Sequence, residues 1–183
     1  AMLLTLRGSV CIYQGEELGL TEAELEYKDL VDPYGINFWP EYKGRDGCRT
    51  PMVWDNKEAN GGFSNARPWL PVYDDHYNAA VAVQHGQDNS ILQAYRTFLG
   101  WRAQQPVLLK GDIDFLDSPE NTLVYTRTYE GTTLLVALNL TDNPVRITAP
   151  AAGQSVSGTP DFVGGSWHDN ELELQPWGVE IAT

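Results

Sequence analysis

Two arginines on one tight segment, Arg45-Asp46-Gly47-Cys48-Arg49, are the side chains best placed to do chemistry. A planar guanidinium forks two hydrogen bonds to a carboxylate or to sugar hydroxyls. Gly47 supplies a turn between the arginines, Pro51 fixes the backbone just beyond them, and Asp46 is placed to hold one of them. Structural ion pairing and substrate recognition are equally open for this pair. An adjacent carboxylate pair, Glu16-Glu17, invites comparison with acid-base hydrolysis, which needs two carboxylates facing each other across one bond. Neighbours at the end of a strand point to opposite faces, so these two do not converge on a bond. Pinning of loop amides or of an arginine is the favoured role for them. No Gly-rich phosphate loop and no Ser-His-Asp arrangement can be assembled. Three scattered histidines and two cysteines, Cys11 and Cys48, make neither a zinc pattern nor a disulfide framework.

The elements that must hold these residues read as follows. Met2–Leu6 is an apolar helix tail. Val10–Tyr13 suits a strand buried on both faces of a parallel sheet, with Cys11 as a small buried hydrophobe. Leu18–Pro71 is a long ordered loop rich in Gly, Pro and aromatics, with a turn or two of helix at Glu22–Asp29 and most aromatics expected to pack within the loop. A helix is expected between Asp74 and Gly86. A second is capped by Ser90, carries a core stripe of Ile91, Leu92, Tyr95, Phe98 and Leu99, and is limited by Pro106. Beyond Gly111 the period changes. Thr122–Tyr129 and Thr133–Leu140 are strands joined by a turn at Glu130-Gly131. Asp112–Phe115, Val145–Thr148, Leu172–Leu174 and Val179–Ala182 are shorter strands of a small antiparallel sandwich.

The 183 residues suffice for one domain, or one and a small second, and the net charge of −13 argues against nucleic acid. Residues 111–183 carry −9 of that charge, which reads as a solvated acidic surface. No apolar run reaches the length of a membrane span and no secretory signal is legible, so the expected compartment is the cytoplasm. In that context the sequon Asn139-Leu140-Thr141 is discounted.

Arg7-Gly-Ser-Val-Cys-Ile-Tyr-Gln-Gly-Glu-Glu-Leu-Gly19 resembles the eighth barrel strand of glycoside hydrolase family thirteen, the α-amylase family. Asp32-Pro-Tyr-Gly-Ile-Asn-Phe-Trp-Pro40 and Gly44-Arg-Asp-Gly-Cys-Arg-Thr-Pro-Met-Val-Trp54 are similar to the segment that follows in its α-glucosidase branch. Gly62-Phe-Ser64 and Pro68-Trp-Leu-Pro71 continue the match. The resemblance implies an α+β fragment: the tail end of a (β/α)8 barrel over residues 1–110, followed by a small antiparallel β-sandwich over 111–183. Arg49 would bind the innermost glucose with Arg45 close by. Asp46 and Glu17 would support them, Glu17 at a position of mainly structural role. The family's aspartate nucleophile, its glutamate acid/base and its transition-state-stabilising aspartate lie on earlier strands and have no counterpart here. No catalytic residue, metal or cofactor is therefore expected in this chain.

The expected reading is the C-terminal portion of a retaining α-glucosidase acting on α-1,4- or α-1,6-linked glucose oligosaccharides, inactive alone. The alternatives are a non-catalytic sugar-binding or assembly fragment, and part of a sucrose isomerase or glucosyltransferase. Expected partners are glucose-containing oligosaccharides, not nucleic acid or membrane, with self-association or pairing with the rest of the barrel.

Overall fold

The computed structural model describes residues 1–183, which divide into two compact units: Ala1–Val10 with Arg96–Thr183, and Cys11–Tyr95. Helices are α1 (Met2–Thr5), α2 (Pro33–Phe38), α3 (Val81–Gln84), α4 (Ile91–Arg102) and α5 (Pro106–Lys110). Strands are β1 (Asp112–Phe115), β2 (Thr122–Tyr129), β3 (Thr132–Asn139), β4 (Val145–Thr148), β5 (Ser166–His168), β6 (Glu171–Leu174) and β7 (Val179–Ala182). No helix is long and apolar enough to cross a membrane.

In the first unit β1, β2, β3 and β7 form one antiparallel sheet in that order, and β4, β6 and β5 form a second. The β2–β3 hairpin follows from its two-residue turn. Glu130 and Gly131 both take positive φ, 47° and 81°, which matches the right-handed twist of the flanking strands. Tyr129 pairs with Thr132, and the register then runs unbroken to Thr122 opposite Asn139.

Alternation sorts β3 into two buried faces. Leu134, Val136 and Leu138 pack with Phe98, Trp101, Val107 and Leu108 from the helices. Ala137 packs with Ile147, Leu172 and Leu174 of the second sheet. The first sheet is thus covered on both sides, which is why β3 reads as a continuous apolar run.

Asn139 is buried, and its amide donates to Asn143 O at 2.7 Å and Gln175 O at 2.9 Å. A glycan on this amide would break both hydrogen bonds and is incompatible with the packed fold.

Four expectations need correction. Val10–Tyr13 is not a strand, because no other segment offers it a ladder. Cys11 is accordingly exposed rather than buried. The stripe of α4 is narrower than expected: Leu92, Phe98 and Trp101 are buried, while Ile91 and Leu99 on its flanks are exposed. Most of the loop aromatics do not pack inward; Tyr27, Tyr34, Phe38, Tyr42, Trp54, Phe63 and Trp69 are all exposed.

Boundaries also shift for local reasons. The helix expected from Asp74 is a 3-10 run, Asp74–Ala79, broken from α3 by extended backbone at Ala80. Pro106 starts α5 instead of merely ending α4, since a proline at the first helical position forfeits no hydrogen bond. Ser90 caps α4 as expected, its hydroxyl accepting from Gln93 N at 3.2 Å.

One buried charge site gives a stability prediction. Glu180 on β7 lies opposite Ala137, fully buried, and neither carboxyl oxygen has a hydrogen-bond partner. Burial pushes its pKa up; Ser155, Gly165 and Trp167 nearby only soften the shift. A carboxyl with a raised folded-state pKa contributes most stability below its unfolded value, about 4.5, and loses it as pH rises through the folded value. Glu180→Gln cannot ionise and should therefore melt higher than wild type, by a margin that widens from pH 4 to pH 8. The gain is the cost of ionising a buried carboxyl, which the neutral amide avoids while remaining a buried polar group, so it appears only as pH rises above the unfolded value. Thermal melts across that range check it; a margin independent of pH would show that Glu180 does not titrate in the fold.

Candidate functional site

The site lies in the second unit, on loops that Gly-rich geometry allows to approach one another closely. Asp32 starts α2 as its N-cap, accepting from Tyr34 N at 3.3 Å, with Pro33 in the first turn. The same carboxylate takes three donors from Arg45. The backbone N–H reaches Oδ2 at 2.8 Å, Nε reaches Oδ2 at 2.9 Å, and Nη2 reaches Oδ1 at 2.9 Å. The Asp32 side chain is 0% exposed and the Arg45 side chain 50%. Such a fork holds both position and plane of the guanidinium. Its hydrogen bonds hold the Asp32 carboxyl well below the usual carboxylate range, and Arg45 is raised in return. Both remain charged at any ordinary assay pH. Arg45 Cζ also sits 5.4 Å from the Tyr34 ring centroid, within cation–π range.

This contact depends on two glycines. A Cβ on Gly44 would stand 2.8 Å from Gly35 N, and one on Gly35 would stand 2.5 Å from Lys43 O. Only bare backbones pass at that distance.

Asp46 does not hold an arginine, in contrast to the expectation. Its Oδ2 instead accepts from Val31 N and Asp32 N, both at 2.7 Å, and the residue is fully buried. Asp46 and Asp32 therefore clamp the two segments onto each other from opposite directions. Glu17 Oε2 accepts from Gly15 N at 2.9 Å, and Glu16 Oε2 from Tyr13 N at 3.2 Å. Both carboxylates pin loop amides, and no acid-base pair is built from them.

Arg49 follows one 3-10 turn after the clamp, its N–H donating to Asp46 O at 2.9 Å. It takes part in none of the protein's ion pairs. Its side chain lines a cleft of about 260 Å³ together with Tyr13, Gln14, Met52, Phe63 and Trp69. Trp69 is 63% exposed and Tyr13 49%. An arginine with an open fork beside aromatic faces suits a polyhydroxylated ring, whose hydroxyls take the fork and whose C–H face takes the aromatic. The structure therefore separates the two arginines, one engaged by Asp32 and one facing the cleft. Asp32, Tyr13 and Gln14 had escaped notice as site residues. Asp32 could have been found as the only acid in its motif segment, whereas Tyr13 was masked by the strand reading. No group of histidines, cysteines and carboxylates is arranged to hold a metal ion.

The features form an open cleft with one unpaired guanidinium beside aromatic faces. Comparison with known proteins shows the family. Residues 1–111 match the family described as "Alpha amylase, catalytic domain" and residues 113–179 the one described as "Maltogenic Amylase, C-terminal domain". The chain belongs to the α-amylase family, and comprises the end of a catalytic domain with its C-terminal domain. A probable alpha-glucosidase of Rhizobium meliloti is 46% identical over 100% of this chain and 33% of its own length. An oligo-1,6-glucosidase of Heyndrickxia coagulans is 36% identical over 79% of this chain and 29% of its own. Among solved structures, the alpha-glucosyl transfer enzyme XgtA superposes with a TM-score of 0.93 at 44% identity, covering 99% of this chain and 34% of its own. The trehalulose synthase MutB of Pseudomonas mesoacidophila gives 0.84 at 28% identity, covering 100% of this chain and 37% of its own. The chain spans about a third of the length of these relatives.

Proposed function

We propose that this chain is the C-terminal portion of a retaining α-glucosidase acting on α-1,4- or α-1,6-linked glucose oligosaccharides. It supplies substrate-binding residues and scaffold, and the catalytic carboxylates come from the remaining two thirds of the enzyme. The observation that carries this reading is the Arg49 guanidinium, unpaired with any carboxylate of the chain, in a cleft walled by Tyr13, Phe63 and Trp69. In this reading Arg49 grips the hydroxyls of the innermost glucose, and the domain division falls near Gly111. The exposed loop aromatics outside the cleft, Tyr27, Tyr34, Phe38, Tyr42 and Trp54, are the surface that packs against the rest of the barrel.

Retaining hydrolysis passes through a glycosyl-enzyme intermediate, so the first sugar released keeps its configuration. Incubation of the full-length enzyme with an aryl α-glucoside should show α-glucose first by NMR. The 183-residue chain alone should release none. First release of β-glucose would overturn the assigned chemistry. Turnover by the chain alone that survives Arg49→Ala would overturn the assigned division of labour.

A second reading, glucosyl transfer, is favoured by the identity to XgtA. Product analysis at high maltose separates the two. Accumulation of longer glucosides over free glucose would select transfer; glucose alone would select hydrolysis.

A further inference from the structure

We propose that Asp32 is a positioning residue for Arg49, and that Arg45 works with it in that lock without touching the sugar. This rests on the reading of Arg49 as the substrate-binding arginine.

The path from Asp32 to Arg49 is short and wholly hydrogen-bonded. Asp32 grips Arg45 at three donors. Asp46, the next residue, returns the grip by accepting from the amides of Val31 and Asp32. Residues 31–32 and 45–46 are thereby fixed to each other from both sides. The 3-10 turn Asp46–Cys48 starts at this lock and ends at Arg49, whose N–H bonds Asp46 O. Gly47 allows no slack in the turn, since its O accepts from Ala23 N and a Cβ on it would stand 2.6 Å from Ala23 O. Downstream, Gln14 Nε2 donates to Thr50 O at 3.3 Å, so Arg49 is anchored on both flanks and only its side chain is left to the cleft. Arg45, by contrast, has its fork filled by a buried carboxylate. To present the same fork to a sugar it would have to abandon Asp32 and leave a buried charge unpaired, which is strongly unfavourable.

The lock predicts a particular kinetic pattern in the full-length enzyme. Misplacement of a binding group by about 1 Å costs up to about 10²-fold. Asp32→Asn should therefore lower kcat/KM about 10- to 100-fold, carried mainly by KM, because Arg49 is retained but mis-set. Arg45→Gln should give a similar loss. The double variant should lose no more than the worse single, since both changes break one unit.

Circular dichroism melts establish that each variant is folded at the assay temperature. If Asp32→Asn does not accumulate folded, Arg45→Lys carries the test, because it keeps the charge and loses the two-pronged fork. Unchanged KM in the folded lock variants would overturn the proposal. So would multiplicative losses in the double variant, which would place Arg45 on the sugar. Arg49→Ala is the control: if it leaves KM unchanged, the substrate-binding reading itself fails; if it raises KM and the lock variants do not, only the positioning role fails.

Discussion

Arg49→Ala in the full-length enzyme is expected to lower kcat/KM for an aryl α-glucoside by about 10²- to 10³-fold. The estimate follows from the geometry of the fork. Hydrogen bonds made by a charged group are worth about 1.5–3 kcal/mol each, and a bidentate guanidinium makes two. Two such bonds sum to about 3–6 kcal/mol, and the lower part of that sum, about 3–4 kcal/mol, corresponds to the stated range because water replaces part of the lost contact. Arg49 is the only basic residue that this chain contributes to the cleft. Arg49→Lys should recover a minor part of the loss, because an ammonium keeps the charge but cannot hold two hydroxyls in one plane. Steady-state kinetics on both variants check this. A change within about threefold for the alanine variant would remove Arg49 from the substrate site, since that is the scale of a single weak surface contact.

The contrast between Arg49 and Arg45 also shows what can be read from a sequence of this kind. Both arginines lie two residues from Gly47, on either side of it, with Asp46 between them, and their residue types alone do not tell them apart. What distinguishes them is Asp32, thirteen residues upstream of Arg45 and brought to it only because Gly35 and Gly44 let two backbones nearly touch. No local pattern encodes that approach. Asp46, adjacent to Arg45, was the natural partner by proximity. Its side chain is turned instead to the amides of Val31 and Asp32.

The hairpin was legible for the opposite reason. Its turn at Glu130-Gly131, its alternation and its register are all local, so β2 fell at Thr122–Tyr129 as read. The three-residue β5, Ser166–His168, was missed because so short a strand has no periodicity of its own and exists only as the partner of β6. Val10–Tyr13 failed in the reverse direction. Its β-branched residues favour a strand, but propensity without a neighbouring ladder does not make one. The family resemblance rested on contiguous motifs, which need no tertiary information, and the match over residues 1–111 bears it out.

Arg127→Met is expected to lower the unfolding free energy by about 3–5 kcal/mol, the largest single loss predicted outside the site. Arg127 stands on β2 with the parity of Tyr125, so it faces the helices, and it is fully buried. No carboxylate pairs with it. Its guanidinium instead donates to Thr5 O at 2.6 Å, Leu108 O at 3.1 Å, Gly111 O at 2.8 Å and Asp112 O at 3.2 Å. Thr5 ends α1, and Leu108 and Gly111 lie at the C-terminus of α5, where helix carbonyls lack internal partners and carry partial negative charge. One side chain thus satisfies the ends of two helices and ties both to the sheet. Burial lowers the Arg127 pKa, yet a guanidinium starts so high that it stays charged. Methionine matches the length and apolar stem but leaves four carbonyls without their donor. Each buried unsatisfied group costs about 1–3 kcal/mol, reduced here because some carbonyls keep a second partner or gain water. Arg127→Lys should fall between, because one ammonium cannot span acceptors on two helices and a strand. Urea unfolding of the whole protein measures the difference. A methionine variant with an unchanged midpoint would mean that these carbonyls find water as readily as they find the guanidinium, and that packing alone holds α1 and α5 on the sheet.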